Sequence, residues 1–246
     1  MAKAIYDIQL MDALTGASII SAGGTVFVAT VNDTTKKTLL NADTGASLTN
    51  PLTPTRGKIR FAIDSVSPLE SVVDIYGISP TGHAFVVRDV KPGTPTEIRI
   101  DTGNRNQVLV IPFAISDTTA TTETDTGFDL PTGATVLPYP AVYVTSEDAT
   151  ETIDVGLLAS ESGGDANGFL ALLDVATPGM ILPHVGATPT LGVLLLETVT
   201  ADAGTASVRD TYVVGATAVS VSYTLTAGTN TAEGFIHLPY VLPPTM

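Results

Sequence analysis

The chain has 246 residues, no cysteine, and 25 acidic against 11 basic side chains, for a formal charge of −14. The missing cysteine excludes disulfides, thiolate metal sites and cysteine nucleophiles. The charge opposes binding to a phosphate backbone, which needs clustered Lys and Arg, so no nucleic-acid partner is expected. No window holds about 18 consecutive apolar residues, so no membrane helix is expected. Met1 to Asp7 lacks the uninterrupted apolar stretch of a secretory signal, which predicts a chain made and kept in the cytosol unless it leaves by another route. Hydrophobic residues at 44% argue against wholesale disorder, and 22 Gly, 16 Pro and abundant Thr read as all-β.

The charge is unevenly placed. Residues 1–105 hold ten basic and ten acidic side chains, whereas residues 106–246 hold fifteen acidic ones and only Arg209. So abrupt a shift marks a domain boundary near Gly103–Gln107, and the expected division is 1–103 and 104–246.

In the first part, strands are predicted at Ala4–Leu10, Thr25–Val31, Leu39–Leu40, Lys58–Ile63, Val72–Ile78, Ala84–Arg88 and Glu97–Ile100. Turns lie at Asp12–Ala17, Asn41–Gly45 and Ser79–Gly82. Lys58–Ile63 alternates charged and apolar residues, as a strand with one wet and one buried face does. Short strands spaced this way suggest an immunoglobulin-like sandwich, without the Cys-Trp-Cys core of a true immunoglobulin domain.

In the second part, Gln107–Ile115 is nearly all apolar. Ser116–Gly127 is rich in Thr, Asp and Glu and reads as an exposed loop or mobile arm. Strands are predicted at Thr135–Thr145, Thr152–Leu158, Leu191–Val199, Tyr212–Val214, Ala218–Thr226 and Gly234–Leu238. For Gly168–Val175 a short helix and a strand fit equally. The apolar, proline-rich ending from Leu238 to Met246 is a liability if left free, so it docks on its own domain or on a neighbouring subunit. This part is large enough for a jelly-roll-like sandwich.

Candidate sites are few. Asp-Thr-Gly occurs at Asp43–Gly45, Asp101–Gly103 and Asp125–Gly127. Two such triplets facing each other make an aspartic protease dyad, in which two close carboxylates share a proton. That arrangement needs each Asp to follow a buried strand. None does so here, and turn chemistry accounts for all three. His83, His184 and His237 lack a His or carboxylate at metal-motif spacing, and His237 reads as a structural histidine. No Gly-x-Ser-x-Gly elbow is present. Asp165-Ala166-Asn167-Gly168 resembles half a calcium loop, but Phe169-Leu170-Ala171 supplies neither a third oxygen ligand nor a distal Glu. Ala22-Gly23-Gly24-Thr25 lacks the Lys and spacing of a phosphate loop. The expectation is a non-enzymatic chain with no catalytic, cofactor-binding or metal residue. The fifteen acids of the second part read as solvated or subunit-facing charge.

Resemblance sharpens this. Tyr6–Ala17, Thr38–Gly45, Asn50–Thr53, Gly57–Phe61 and Ser71–Ile75 resemble the small β-sandwich module at the N-terminus of many tailed-phage virion proteins. Asp154–Leu158, Ser162–Leu170, Thr190–Leu195 and Ser220–Leu225 resemble phage head proteins. The resemblance implies a capsid decoration, or cement, protein on the virion surface. Its partners would be the major capsid protein and itself, as a homotrimer. It transfers no catalytic residue. A tail, baseplate or head-fibre protein that binds host surface or glycans is the alternative.

Overall fold

The structure, a computed structural model, describes residues 2–19, 23–31, 34–65, 71–93, 95–114, 122–147, 150–185, 188–201, 204–226 and 232–243. It is all-β: among the described residues there is no α-helix, and the chain divides into two compact units, Met1–Arg105 and Asn106–Met246. The division falls inside the Gly103–Gln107 stretch where the charge changes, just beyond the expected 103/104.

The first unit contains β1 (Ala2–Asp12), β2 (Thr25–Thr30), β3 (Leu39–Leu40), β4 (Ser47–Leu48), β5 (Lys58–Ser65), β6 (Val73–Ile78), β7 (Ala84–Val90) and β8 (Thr96–Ile100). One sheet runs β4-β3-β5-β1-β8, with β1 antiparallel to β5 and parallel to β8; the other runs β2-β6-β7. Period-two alternation turns Tyr6, Ile8 and Leu10 inward against Ile59, Phe61 and Ile98. From the facing sheet Val26, Val28, Val73 and Ile75 close the same core. Tyr6 and Phe61 stack with centroids 4.7 Å apart. Asn50 ties β2 to the segment before β3: its Nδ2 donates to the carbonyls of Val28 (2.7 Å) and Lys37 (2.9 Å), and its Oδ1 accepts from Val28 N–H (3.0 Å). Asp74 is fully buried, accepting from Arg88 (2.6 Å) and from the Asp89 N–H (2.9 Å).

The second unit contains β9 (Asn106–Phe113), β10 (Thr124–Leu130), β11 (Thr135–Val136), β12 (Ala141–Ser146), β13 (Thr152–Leu157), β14 (Asp165–Asp174) and β15 (Gly179–Ile181). After these come β16 (Leu196–Ala201), β17 (Gly204–Arg209), β18 (Tyr212–Val213), β19 (Val219–Thr226) and β20 (Glu233–Val241). A four-stranded sheet, β10-β19-β13-β14, and a six-stranded sheet, in which β20 joins β9, β12 and β11, supply the core. β16 and β17 pair only with each other. Phe113 from one sheet meets Tyr223 from the other edge-on at 6.1 Å, and the Tyr223 hydroxyl donates to the Ala114 carbonyl. The all-β sandwich reading thus describes the molecule.

Several expectations need correction. The stretch 135–145 is two short strands, because Pro138 and Pro140 cannot donate to a ladder. Leu191–Val199 begins with a 3-10 turn at Val193–Leu195 before β16 starts. The end of the Thr/Asp/Glu stretch is not loop: Thr124–Gly127 belongs to β10, while 115–121 lie outside the described residues. Gly168–Val175 resolves as strand through Asp174. Three strands, at Ser47–Leu48, Gly179–Ile181 and Gly204–Arg209, were not expected. The apolar ending enters β20 through Val241, with Tyr240 and Leu242 buried within the chain; 244–246 lie outside the described residues.

Candidate functional site

Two of the three Asp-Thr-Gly triplets lie in turns as expected, whereas the third, Asp125–Gly127, lies within β10. Asp101 and Asp125 each accept from the N–H of the Gly two residues on, at 3.0 and 2.8 Å. Asp43 binds Arg60 with both oxygens, at 2.8 and 2.9 Å. At the third triplet Gly127 (φ 71°) forms a bulge in β10, and Thr126 donates to the Val221 carbonyl at 2.6 Å.

The histidines are dispersed. His184 is exposed and pairs with Thr190 (3.1 Å). His83 is buried beside β1 and β8: its Nδ1 shares a hydrogen bond with Thr81 (2.9 Å), which in turn meets Ser79 (2.9 Å). Burial pushes the His83 pKa down, while Thr102, Thr81, Asp101 and Asp12 pull it back up. Asp12 lies in the same corner. The Thr102 hydroxyl, and then the Thr15 N–H, hold its carboxyl down at about 2. Burial likewise lowers the His237 pKa.

The calcium-like run is a packing device. Asp165, Ala166, Asn167 and Gly168 start β14, where Asp165 accepts from Asn167 N–H at 3.4 Å. A Cβ on Gly156 would lie 1.9 Å from the Asp165 carbonyl, and one on Gly192 would lie 2.3 Å from those of Asn167 and Gly168. Three backbones cross here with no room between them. Among the described residues no group of three or more His, Asp or Glu side chains is placed to hold a metal.

Several second-unit acids serve donors within their own unit, and one of them, Glu151, is not solvated, contrary to expectation. Glu151 is fully buried and accepts from Ala232 N–H (3.1 Å). Glu123 accepts from Ala159 N–H (2.9 Å) and the Ser222 hydroxyl (2.6 Å), and Asp129 from the Ser220 hydroxyl (2.7 Å). Glu161 accepts from Ser220 N–H (2.9 Å), and Asp154 from Leu172 N–H (2.6 Å). Each satisfies a strand or turn donor, which composition does not reveal. Arg209, the unit's only basic residue, is equally committed. Its guanidinium donates to the carbonyls of Pro138 and Pro183 and lies over the Tyr139 ring, fixing the base of the β16–β17 hairpin.

Two surfaces stand out. The first is the outward face of the six-stranded sheet. Ladder partners share a face, and across one row these are Met180, Tyr143, Phe235 and Pro112. The next rows are Ala141, His237 and Val110, then Pro239 and Val108. No carboxylate interrupts these rows, and Met180, Val108 and Tyr143 are exposed at 54, 49 and 42%. The second is a groove of about 650 Å³ in the first unit. Arg56, Lys58 and Arg60 line it, with Asn41, Thr53 and Thr55 beside them and Leu48, Leu52 and Ile59 beneath.

No family model matches the chain, and no curated protein matches it. Among solved structures, the crystal structure of BcpA, the major pilin subunit of Bacillus cereus, aligns at 8% identity and a TM-score of 0.20. The alignment covers 100% of this chain and 60% of that one, so the chain spans under two thirds of the pilin's length.

Proposed function

We propose that this chain is a structural virion protein of a tailed phage, a decoration protein that binds the major capsid protein from outside as a symmetric oligomer and stabilises the shell. The observation that carries the reading is the face of the six-stranded sheet on which Tyr143, Met180 and Val108 are exposed around the buried Phe235 and Ala141, with His237 in its middle row and Glu233 at its end. A chain at −14 charge has carboxylates to spare, yet on this side of β20 the first carboxylate, Glu233 opposite Ser146, stands at the strand's start. An apolar patch with its edges left in water is characteristic of a protein-binding surface. The two sandwich units supply a stiff, turn-rich scaffold for it. The resemblance of both halves to virion proteins agrees with this role. No grouping of side chains described above suggests a reaction.

Co-sedimentation with heads that lack the protein tests the reading. Saturable binding at about one copy per capsid-protein symmetry position, weakened by Tyr143→Glu with Met180→Glu, is the expected result. Binding of a dozen copies or fewer would instead favour a vertex, tail or fibre position.

A further inference from the structure

We propose that the basic groove of the first unit docks acidic polypeptide, and that its occupant is the carboxylate-bearing second unit of another copy of this chain. The inference stands apart from capsid binding and starts from the groove's own construction. Thr55 and Lys58 exchange both backbone hydrogen bonds, each at 3.0 Å, across the two-residue turn Arg56-Gly57. Both central residues have positive φ, 52° and 69°, the primed hairpin turn that favours Asn-Gly. An Arg at the first position is uncommon for an L residue. Residual strain of this kind points toward a use for the side chain.

The turn is also fixed in place. The Gly57 carbonyl accepts from Leu10 N–H (2.8 Å) and Gln9 Nε2 (3.2 Å), and a Cβ on Gly57 would lie 1.9 Å from the Ile19 carbonyl. Arg56 is therefore presented from an immobilised turn, next to Lys58 and Arg60 along one strand face. No lining residue of the groove is acidic. Among the described residues Arg60 is paired with Asp43, and no ion pair holds Arg56 or Lys58.

Charge selects the occupant. Ten of the eleven basic residues lie in 1–105, and fifteen of the 25 acids lie in 106–246. Arg209, the second unit's only cation, is already bound to two carbonyls. Copies of such a chain repel one another unless cations from one unit meet carboxylates from the other. In the groove Arg56 and Lys58 line a concavity with no carboxylate, whereas the neighbouring cleft that Lys36 and Lys37 line also holds Asp64. An acidic glycan is the weaker candidate, because no aromatic ring lines the groove for a sugar face to pack on.

The test uses the full chain alone, without capsids, so that failure of the decoration reading leaves it intact. Carbodiimide cross-linking of an equal mixture of ¹⁴N and ¹⁵N protein is expected to join Lys58 of one copy to Asp or Glu of 106–246 in another. Sedimentation should show self-association weakened about tenfold between low salt and ~0.5 M NaCl. A similar loss is expected in Arg56→Asn/Lys58→Gln, whose unfolding temperature should match or exceed the parent because both side chains are exposed and Asn suits the turn. Lys58 linked only within 1–105, or association indifferent to both salt and variant, would overturn the proposal. So would the absence of association at ~100 µM, above the Kd range of a stable contact. Alginate binding that the double variant abolishes, without self-association, would reassign the groove to acidic glycan.

Discussion

Gly156→Ala tests whether the Gly/Asp/Asn run of the second unit is a packing device or an ion site. Gly156 is buried in β13, and no positive φ sets it apart, so an alanine there meets no conformational penalty. Its Cβ would stand 1.9 Å from the Asp165 carbonyl oxygen, 2.6 Å from Ala166 C and 2.7 Å from Gly168 N, all backbone atoms. Relief requires β13 and the start of β14 to part by about 1 Å, which breaks ladder bonds and opens the core beneath Val155 and Leu157. Overpacking against immovable atoms costs about 3 kcal/mol. For a unit of this size that lowers Tm by roughly 10 °C. Gly163→Ala is the matched comparison: its φ is +84° and nothing lies within 4 Å, so it should cost only about 1 kcal/mol. Thermal unfolding by circular dichroism, with and without millimolar calcium, reads both. Calcium should leave each Tm unchanged. A Gly156→Ala transition within ~2 °C of the parent, or a calcium-dependent rise in Tm, would refute the packing account.

Other predictions follow from single residues. Arg209→Ala should lose about 2 kcal/mol, because two carbonyls lose a charged donor, and amide exchange should accelerate through β16 and β17 before the rest of the unit. Equal exchange in both proteins would show that the guanidinium does not hold the hairpin. Asp74→Asn should cost about 2 kcal/mol by weakening the hydrogen bonds that the partly exposed Arg88 and the Asp89 N–H donate to a buried carboxylate, read as a lower urea midpoint for the first unit; an unchanged midpoint would count against the pair. His83 and His237 both have folded pKa values lowered by burial. The stability tied to their neutral forms is therefore complete above the ordinary value of about 6.5. It is lost as pH falls through the lowered values, and denaturant midpoints that stay flat from neutrality down to pH ~5 would contradict this. Asp12, held at about 2, contributes stability that is full above the usual 3.8 and disappears as pH falls through about 2. Thr102→Val should raise the Asp12 carboxyl titration seen by NMR.

The sequence made the first unit easy to read, because most of its strands face water on one side and alternate cleanly. Lys58–Ile63 and the Tyr6, Ile8, Leu10 series project their period straight onto the sandwich. The second unit was harder, since β14 buries both faces for part of its length and loses the alternation, whereas β19 keeps a strict alternation in sequence and was legible. Two-residue strands such as β4 and β11 are too short for any periodic signal and form through long-range partners. The carboxylates misled for a different reason. Glu151 and Glu161 serve backbone donors far away in sequence, at Ala232 and Ser220, and no local spacing encodes such a bond. Neither surface was legible as a site. The apolar face emerges only when β20 brings β9 and β12 to its two edges, and the groove only when the Arg56-Gly57 turn closes over Leu48 and Leu52.

The two surfaces differ in how they respond to salt, and that separates their roles in one experiment. The outward face of the six-stranded sheet offers Met180, Tyr143, Val108 and Pro239, with no carboxylate before Glu233 at its end. Contact there draws on removal of apolar area from water, which added salt does not screen. The groove offers Arg56 and Lys58, both exposed, so an acidic partner is held by charges that water and ions reach. Raising ionic strength from ~0.1 to 1 M shortens the Debye length from about 10 to about 3 Å. Groove contacts should then fall away while contacts of the apolar face persist. In a salt series, head binding should therefore survive into high salt while copy-to-copy association is lost, with head-bound protein passing from clustered to independent occupancy. Arg56→Asn/Lys58→Gln should reproduce the high-salt pattern at low salt. If head binding and self-association instead decline together, one surface serves both, and the division of labour between face and groove is wrong.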